Sequence, residues 1–164
     1  MTRLAKSYGP DKNKTGLEET TINQLTYPLT NHRRGPCPAG GLFSTAADCA
    51  IFCQMILNGG VYAGKRYLSE AAIDQMTAKQ TDDLLKAGGY GFGWKTQRKA
   101  YGSNGPDSPG WFGHGGAYNT NMQIDPQRQL TTIFMVQHAG FPDPDAKKKI
   151  LPTFQQAAIK AFAQ

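Results

Sequence analysis

The sequence predicts an α+β fold, in which two short helices precede an antiparallel sheet of three to four strands and a C-terminal helix packs on that sheet. Three observations support this prediction. Apolar residues recur at helical spacing within residues 45–58 and again within 144–162. Between them, from residue 90 onward, the pattern changes to the alternation of a strand. The 19 glycines and 10 prolines indicate short elements joined by turns rather than a helical bundle.

The first helix is predicted over residues 45–58. Thr45 and Asp48 have the spacing of a capping box, with Asp in place of the usual Glu. The Asn-Gly-Gly sequence at 58–60 ends the helix, because glycine readily adopts the left-handed conformation of a C-terminal cap. An apolar stripe at helical spacing is formed by Cys49, Phe52, Cys53, Ile56 and Leu57.

The following segments are shorter. Residues 61–68 are predicted to form a turn or hairpin around Gly64, and Ser69 is predicted to cap a second helix over 70–77. Tyr90, Phe92 and Trp94 alternate with glycines, which predicts one pleated strand with glycine on one face. Two further strands are predicted over 119–124 and 130–137.

The C-terminal helix is predicted over residues 144–162, and Pro152 is expected to end its first turn or to kink it. Its buried face is predicted to carry Ile150, Phe154, Ala158 and Phe162. Residues 1–36 show no firm element and are expected to be an extended N-terminal arm, with 37–164 forming the C-terminal part of a single domain. Such an arm either packs on something absent or indicates that the chain begins within a larger protein.

Composition excludes several classes of function. The net charge of +6 comes from scattered basic residues that form no recognisable nucleic-acid module. No apolar run approaches the length of a membrane-spanning helix, and the first residues lack a signal-peptide pattern, so the compartment stays open. The three cysteines and three isolated histidines do not form a metal-ligand pattern, and no cofactor is predicted.

A search for a nucleophile finds little. No serine is followed by lysine at the Ser-x-x-Lys spacing, and no Gly-x-Ser-x-Gly elbow occurs. Thr96 and Lys99 have the corresponding Thr-x-x-Lys spacing, but they follow a strand, where a helical pairing is not expected. Cys37 with one of the histidines is the remaining possibility for nucleophilic catalysis.

One segment, residues 113–120, has the features of a ligand-binding strand edge. It combines His114 with glycines that carry no side-chain bulk, and its composition predicts an extended conformation. On such a strand a ligand lies against the main chain, whose N–H groups bind a carbonyl or stabilise an oxyanion. A tight packing layer, with His114 as a surface residue, explains the same residues without a function.

Five motifs occur in a fixed order along nearly the whole chain. They are Arg3-Leu4-Ala5-Lys6-Ser7-Tyr8, the Pro-Ala-Gly-Gly-Leu-Phe-Ser-Thr-Ala-Ala-Asp sequence of 38–48, Asn58-Gly59-Gly60 followed by Leu68-Ser69, Gly89-Tyr90-Gly91-Phe92-Gly93-Trp94, and residues 113–120. In this order the chain resembles the C-terminal part of the serine β-lactamase and penicillin-binding-protein-like hydrolases. The resemblance is to class C β-lactamases and to their esterase and D-Ala-D-Ala carboxypeptidase relatives, which are often periplasmic or secreted.

The resemblance implies a substrate-binding role for the third catalytic box, which is His-x-Gly in esterase-like members and falls here on His114, Gly115 and Gly116. It implies that His114 helps to bind or polarise one end of the substrate, and that the N–H of Ala117 is one oxyanion-hole donor. Many members carry a hydroxyl where this chain has Gly115. That departure favours an esterase-like or peptidase-like parent over recognition of a β-lactam carboxylate.

The other family boxes are missing. The first, Ser-x-x-Lys, and the second, Tyr-x-Asn or Ser-x-Asn, precede the region of the family that this sequence covers, and Tyr101 and Asn104 are spaced one residue too far apart for the second. We therefore expect an incomplete β-lactamase/transpeptidase-like fold: a serine-hydrolase fragment, inactive alone, whose complete parent takes a small-molecule ester, amide or β-lactam.

Two other functions are compatible with the sequence. One is a non-catalytic module whose exposed sheet edge pairs with an N-terminal half or with a second copy of the chain. The other is a small independent enzyme that uses Cys37 or Thr96.

Overall fold

The computed structural model describes residues 4–21, 40, 42–81, 84–85, 88–96 and 110–162. The helices are α1 (Ala46–Leu57), α2 (Glu70–Thr77) and α3 (Ala146–Phe162). The strands are β1 (Tyr8–Pro10), β2 (Leu17–Glu19), β3 (Val61–Tyr62), β4 (Lys65–Arg66), β5 (Gly89–Tyr90), β6 (Lys95–Thr96), β7 (Phe112–Gly115), β8 (Asn121–Asp125) and β9 (Leu130–Phe134). The α+β class predicted from the sequence is confirmed. No helix in the described ranges is long and apolar enough to cross a membrane.

The predicted helix caps are present. Thr45 caps α1, and its hydroxyl oxygen accepts a hydrogen bond from the Asp48 N–H at 3.1 Å. Ser69 caps α2 in the same way, accepting from the Ala72 N–H at 3.1 Å. Gly59 follows α1 with a φ of +62°, the left-handed conformation expected after a helix. The caps therefore fix where both helices begin, and the glycine lets the chain leave α1.

The main sheet is an antiparallel meander of five strands in the order β5-β6-β7-β8-β9. The prediction of three to four strands is too low because the segment around residue 90 is not one strand. It folds back as the β5–β6 hairpin, with Gly93 at a φ of +83° and the Gly91 N–H bonded to the Trp94 carbonyl at 2.9 Å. At Gly91 a Cβ would lie 2.1 Å from the Met76 carbonyl oxygen, so this glycine meets the end of α2 rather than a sheet layer.

The two faces of the sheet are covered by different helices. On one face α1 packs on β8 and β9, and the core there includes Cys53, Ile56 and Ile124. On the other face α3 packs on β9, and Gln155 of α3 bonds to Gln123 of β8. Because neighbouring residues of a strand point to opposite faces, Gln123 and Ile124 mark the two sides of the sheet.

The C-terminal helix packs on the sheet as predicted, but the residues predicted for its buried face are partly wrong. It runs from Ala146 to Phe162, close to the predicted 144–162, and Pro152 lies inside it. Ile150 and Phe162, predicted to be buried, are 40% and 59% exposed, whereas Gln155 is 6% exposed. Sequence periodicity assigns apolar residues to the interior, but a glutamine can be buried when another amide satisfies its hydrogen bonds.

The N-terminal segment also differs from the prediction of an arm without elements. β1 and β2 form an antiparallel hairpin, and Tyr8 lies beside His138 in a parallel bridge. The Tyr8 N–H bonds to the Gln137 carbonyl at 3.0 Å, and the Ala139 N–H bonds to the Tyr8 carbonyl at 2.7 Å. Strands this short carry no readable alternation, which explains the error. The predicted boundary at 36/37 lies outside the described residues and stays a prediction.

Candidate active site

The glycine-rich segment lies on β7, and the two edges of this strand differ. Along one edge all four residues of β7 pair with β8. Along the other edge, β6 pairs only with Phe112 and Gly113. No described strand pairs with this second edge at His114 and Gly115. Among the described residues, the main chain at His114 and Gly115 is therefore open on one side, which is the arrangement that a strand-edge ligand site requires.

The glycines of this strand are not equivalent. At Gly113 a Cβ would lie 2.4 Å from the Met122 carbonyl oxygen, so the close approach of β8 excludes any side chain. At Gly115 the nearest contact of a Cβ is the Thr120 carbonyl oxygen, at 3.3 Å. The strand therefore requires glycine at Gly113 for packing, while a small side chain at Gly115 needs only a slight adjustment of its neighbour.

The imidazole of His114 contacts two groups. Its Nδ1 lies 2.6 Å from the Gly115 carbonyl oxygen, and its Nε2 lies 3.5 Å from the Tyr90 hydroxyl. The two rings are tilted by 59°, with centroids 5.9 Å apart. Sequence reasoning placed Tyr90 in a strand but did not find this contact, because two residues 24 positions apart on different strands leave no spacing signal.

A tight turn follows the third-box strand. The Asn119 N–H bonds to the Gly116 carbonyl at 3.0 Å, and the Gly116 N–H bonds to the Thr120 carbonyl at 2.9 Å. Asn119 has a φ of 61°, and its side-chain amide donates to the His138 carbonyl at 2.8 Å. Ala117 is exposed in this turn, and no described residue accepts a hydrogen bond from its N–H. Within the described part of the chain, that N–H is therefore left for an external acceptor.

A groove of about 520 Å³ begins at this strand and extends to the N-terminal half of α3. This volume is within the range of small-molecule sites. Backbone and small polar groups line it along β7 and the turn, whereas apolar side chains line it toward α3. Its lining residues are Lys95, Trp111, Gly113, His114, Gly115, Gly116, Asn119, Thr120, Asn121, Phe134, Phe141, Ile150, Leu151 and Pro152. Ala117 is not among them, although its neighbour Gly116 is.

None of the described serines has a basic partner. Ser7 is buried and its hydroxyl accepts from the Gln137 side-chain amide at 3.2 Å. Ser44 is exposed beside Cys49, with Sγ and Oγ 3.5 Å apart, and Ser69 caps α2. These contacts supply no group that could take a proton from a hydroxyl.

The described thiols give no better nucleophile. Cys53 is fully buried, and this burial, with a smaller contribution from Cys49, raises the pKa of its thiol to about 11. A thiol with so high a pKa is protonated at neutral pH and is a poor nucleophile. Cys37 lies outside the described residues. So does Lys99, the lysine at the Thr-x-x-Lys spacing from Thr96. No described His, Cys, Asp and Glu side chains form a group of three that could hold a metal ion.

The fold is similar to that of two solved structures, each of which this chain covers only in part. It matches simvastatin synthase of Aspergillus terreus, in a mutant form, with a TM-score of 0.77 at 18% identity over 99% of this chain and 44% of that one. It also matches a β-lactamase of Mycobacterium bovis, with a TM-score of 0.55 at 19% identity over 74% of this chain and 45% of that one.

Sequence comparison then assigns the family. The family model described as Beta-lactamase matches residues 2–154, and the chain therefore belongs to the beta-lactamase family. A putative D-alanyl-D-alanine carboxypeptidase of Escherichia coli is 28% identical over 66% of this chain. An uncharacterised protein of Mycobacterium tuberculosis is 34% identical over 65% of this chain. The chain spans only 25% and 30% of the lengths of these two relatives.

Proposed function

We propose that this chain supplies the third-box wall of a serine-hydrolase active site and takes part in acyl transfer only together with the rest of the fold. The observation that carries the proposal is the open edge of β7 at His114 and Gly115, in a chain of the beta-lactamase family. The nucleophilic serine and its base come from the part of the fold that the relatives contain and this chain does not match. Alone, the chain is inactive.

In this proposal the substrate carbonyl lies against the turn after β7. The N–H of Ala117 donates to the oxyanion that develops on that carbonyl, and the nucleophile's own N–H supplies the second donor. One such donor removed from an oxyanion hole typically costs about 10²–10³-fold in rate. A chain that holds one of the two donors and no nucleophile has no route to turnover by this mechanism.

The proposed substrate is an ester or a peptide-like amide. Gly115 stands where many family members carry a hydroxyl that contacts a substrate carboxylate, and here it offers only main-chain atoms. One comparison supports a peptide-like amide, since a relative is named a putative D-alanyl-D-alanine carboxypeptidase. β-Lactams are the less favoured substrate class.

Intact-protein mass measurement tests the proposal. The full chain, shown to be folded by dispersed amide NMR signals, is incubated with a fluorophosphonate and separately with a penicillin. Both reagents leave a stable adduct on an activated serine. We expect no mass shift with either reagent and no turnover of a chromogenic ester. A complete family member treated in parallel serves as the positive control for both reagents.

A stoichiometric adduct on any serine of this chain would overturn the proposal, because it would require a base within the chain. The described candidates can be separated by substitution. Ser44→Ala removes an exposed hydroxyl, and Ser7→Ala removes a buried one. Loss of the adduct in either variant would identify the nucleophile and make the chain an enzyme by itself.

A second candidate function is pairing through the sheet edge. β9 is the last strand of the described sheet, and no described strand pairs with its outer edge from Leu130 to Phe134, although its continuation at His138 pairs with Tyr8. Unpaired strand edges readily add a strand from another chain. Light scattering over a range of concentrations tests this function. Association that Met135→Lys abolishes, and that Leu17→Lys on the β2 surface does not, would support pairing, whereas a monomer at every concentration argues against self-pairing.

A further inference from the structure

We infer that Tyr90 is a positioning residue, which holds the His114 imidazole in one orientation and one tautomer beside the third-box strand. The inference starts from the 2.6 Å contact between His114 Nδ1 and the Gly115 carbonyl oxygen. A carbonyl oxygen can only accept a hydrogen bond, so Nδ1 must carry the proton. In the neutral ring Nε2 is then an acceptor, and the Tyr90 hydroxyl, 3.5 Å away, is its donor.

Tyr90 can act in this way because its own backbone is fixed. The Tyr90 N–H bonds to the Thr81 hydroxyl oxygen at 3.1 Å, and its carbonyl accepts from the Gln80 N–H at 2.7 Å. The next residues are held as well, since the Phe92 N–H bonds to the Met76 carbonyl at 2.9 Å. The β5–β6 hairpin is thus fastened to the end of α2, and the tyrosine ring projects from it toward His114.

This arrangement changes the role expected of the histidine. The Nδ1 proton is engaged by Gly115 and the Nε2 lone pair by Tyr90, so neutral His114 has no free N–H for a substrate. We assign His114 to keeping the open edge of β7 in place, and the donors to the substrate are main-chain N–H groups. This assignment rests on the proposed function for its catalytic meaning, but its test does not depend on activity.

The test is the ¹⁵N NMR spectrum of the histidine rings in the full chain, recorded where the rings are neutral. We expect His114 to be the Nδ1–H form, with the Nε2 resonance displaced by an accepted hydrogen bond. In Tyr90→Phe that displacement should be lost while the Nδ1–H form persists. His138 is an internal control, because its Nδ1 lies 2.7 Å from the Gly140 carbonyl oxygen and its ring packs on Phe141 rather than on a tyrosine.

Tyr67→Phe, which removes a hydroxyl from a ring that is 55% exposed, is the matched control and should leave His114 unchanged. Two results overturn the inference. One is an Nε2–H form of His114 in the unaltered chain, which needs no variant to observe. The other is an unchanged Nε2 resonance in Tyr90→Phe, which would mean that the tyrosine ring only packs. Both are independent of whether a fluorophosphonate labels the chain, so this inference and the proposed function can fail separately.

Discussion

The two faces of the five-stranded sheet hold their helices by different interactions. Toward α1 the contacts are apolar, and Ile124 and Ile56 are 0% and 2% exposed. Toward α3 a buried amide pair lies at the centre, with the Gln155 Nε2 donating to the Gln123 Oε1 at 2.6 Å. One aromatic contact accompanies it, between Phe134 and Phe154 with ring centroids 5.3 Å apart.

The two kinds of contact have different consequences, one for the stability of the fold and the other for the orientation of α3. Burial of apolar surface is favourable in any arrangement that excludes water, so the α1 face contributes free energy without fixing one geometry. A buried amide needs a partner at a defined distance and angle, and leaving it without one costs about 1–3 kcal/mol. The α3 face therefore sets the rotation of α3 relative to β8, and with it the wall of the groove beside His114.

The largest expected effect is on the α1 face. Ile124→Ala should lower the free energy of unfolding by about 2–5 kcal/mol, because it removes transfer energy and leaves a cavity in a fully buried site. Urea unfolding followed by circular dichroism measures the change. Ile51→Ala on the 45% exposed side of α1 is the control and should change stability by less than about 0.5 kcal/mol. Equal losses of stability in the two variants would show that α1 does not pack on Ile124.

Cys53, on the same face, is expected to make the free energy of unfolding depend on pH. The raised pKa, about 11 against an ordinary 9.0, means that the folded chain keeps this proton where the unfolded chain has lost it. The free energy of unfolding should therefore fall as the pH rises from about 9 through 11. At about 1.4 kcal/mol per pKa unit, the total loss is at most about 2–3 kcal/mol.

Comparison with a variant isolates this titration from those of tyrosine and lysine. The urea midpoint of Cys53→Ala should be lower at pH 8 but should fall less steeply between pH 8 and pH 10.5. Parallel pH profiles for the variant and the unaltered chain would contradict the burial of the thiol. A separate check is alkylation after Cys37→Ser, in which the half-buried Cys49 should react and Cys53, at 0% exposure, should not.

On the α3 face a smaller effect is expected. Gln155→Leu removes the donor to the Gln123 amide and should cost about 1–3 kcal/mol. The double variant Gln123→Leu with Gln155→Leu replaces both amides by apolar groups of similar shape and should recover part of that loss. Urea unfolding of the two single variants and the double variant gives the coupling. A double variant less stable than the sum of the single changes would mean that the pair does not set this interface.

How far the sequence predicts the fold differs between these two faces. The α1 stripe is largely correct because apolar residues that recur at helical spacing are buried there, as Ile56 is. It is wrong at Phe52, which is 40% exposed, and it omits Met55, which is buried. The α3 stripe is partly wrong because its buried centre is Gln155, whose partner Gln123 is distant in sequence. Periodicity detects hydrophobic burial, but it cannot detect a polar residue that is buried only because a second one satisfies it.

The candidate site shows the same limit. The glycines and histidine of residues 113–116 predict a strand at a sheet edge, whereas β7 is the central strand of the five, and only its end at His114 and Gly115 lacks a described partner on one side. The contact of Tyr90 with His114 and the bond from Asn119 to the His138 carbonyl depend on which strands become neighbours. Neither has a fixed spacing, so only the assembled sheet reveals them.

The smallest expected change in stability tests which side of α3 contacts the sheet. Two isoleucines of that helix provide a matched pair of variants. Ile150 is 40% exposed, whereas Ile159 is half-buried beside Thr132 and Gln155. Ile159→Ala should cost about 1–2 kcal/mol, from partial loss of apolar burial. Ile150→Ala should change stability by less than about 0.5 kcal/mol, since alanine also favours the helix. Both are measured by urea unfolding under one condition. The opposite ranking would support the buried face expected from periodicity. It would require α3 to be rotated so that Gln155 points to solvent and no longer contacts Gln123.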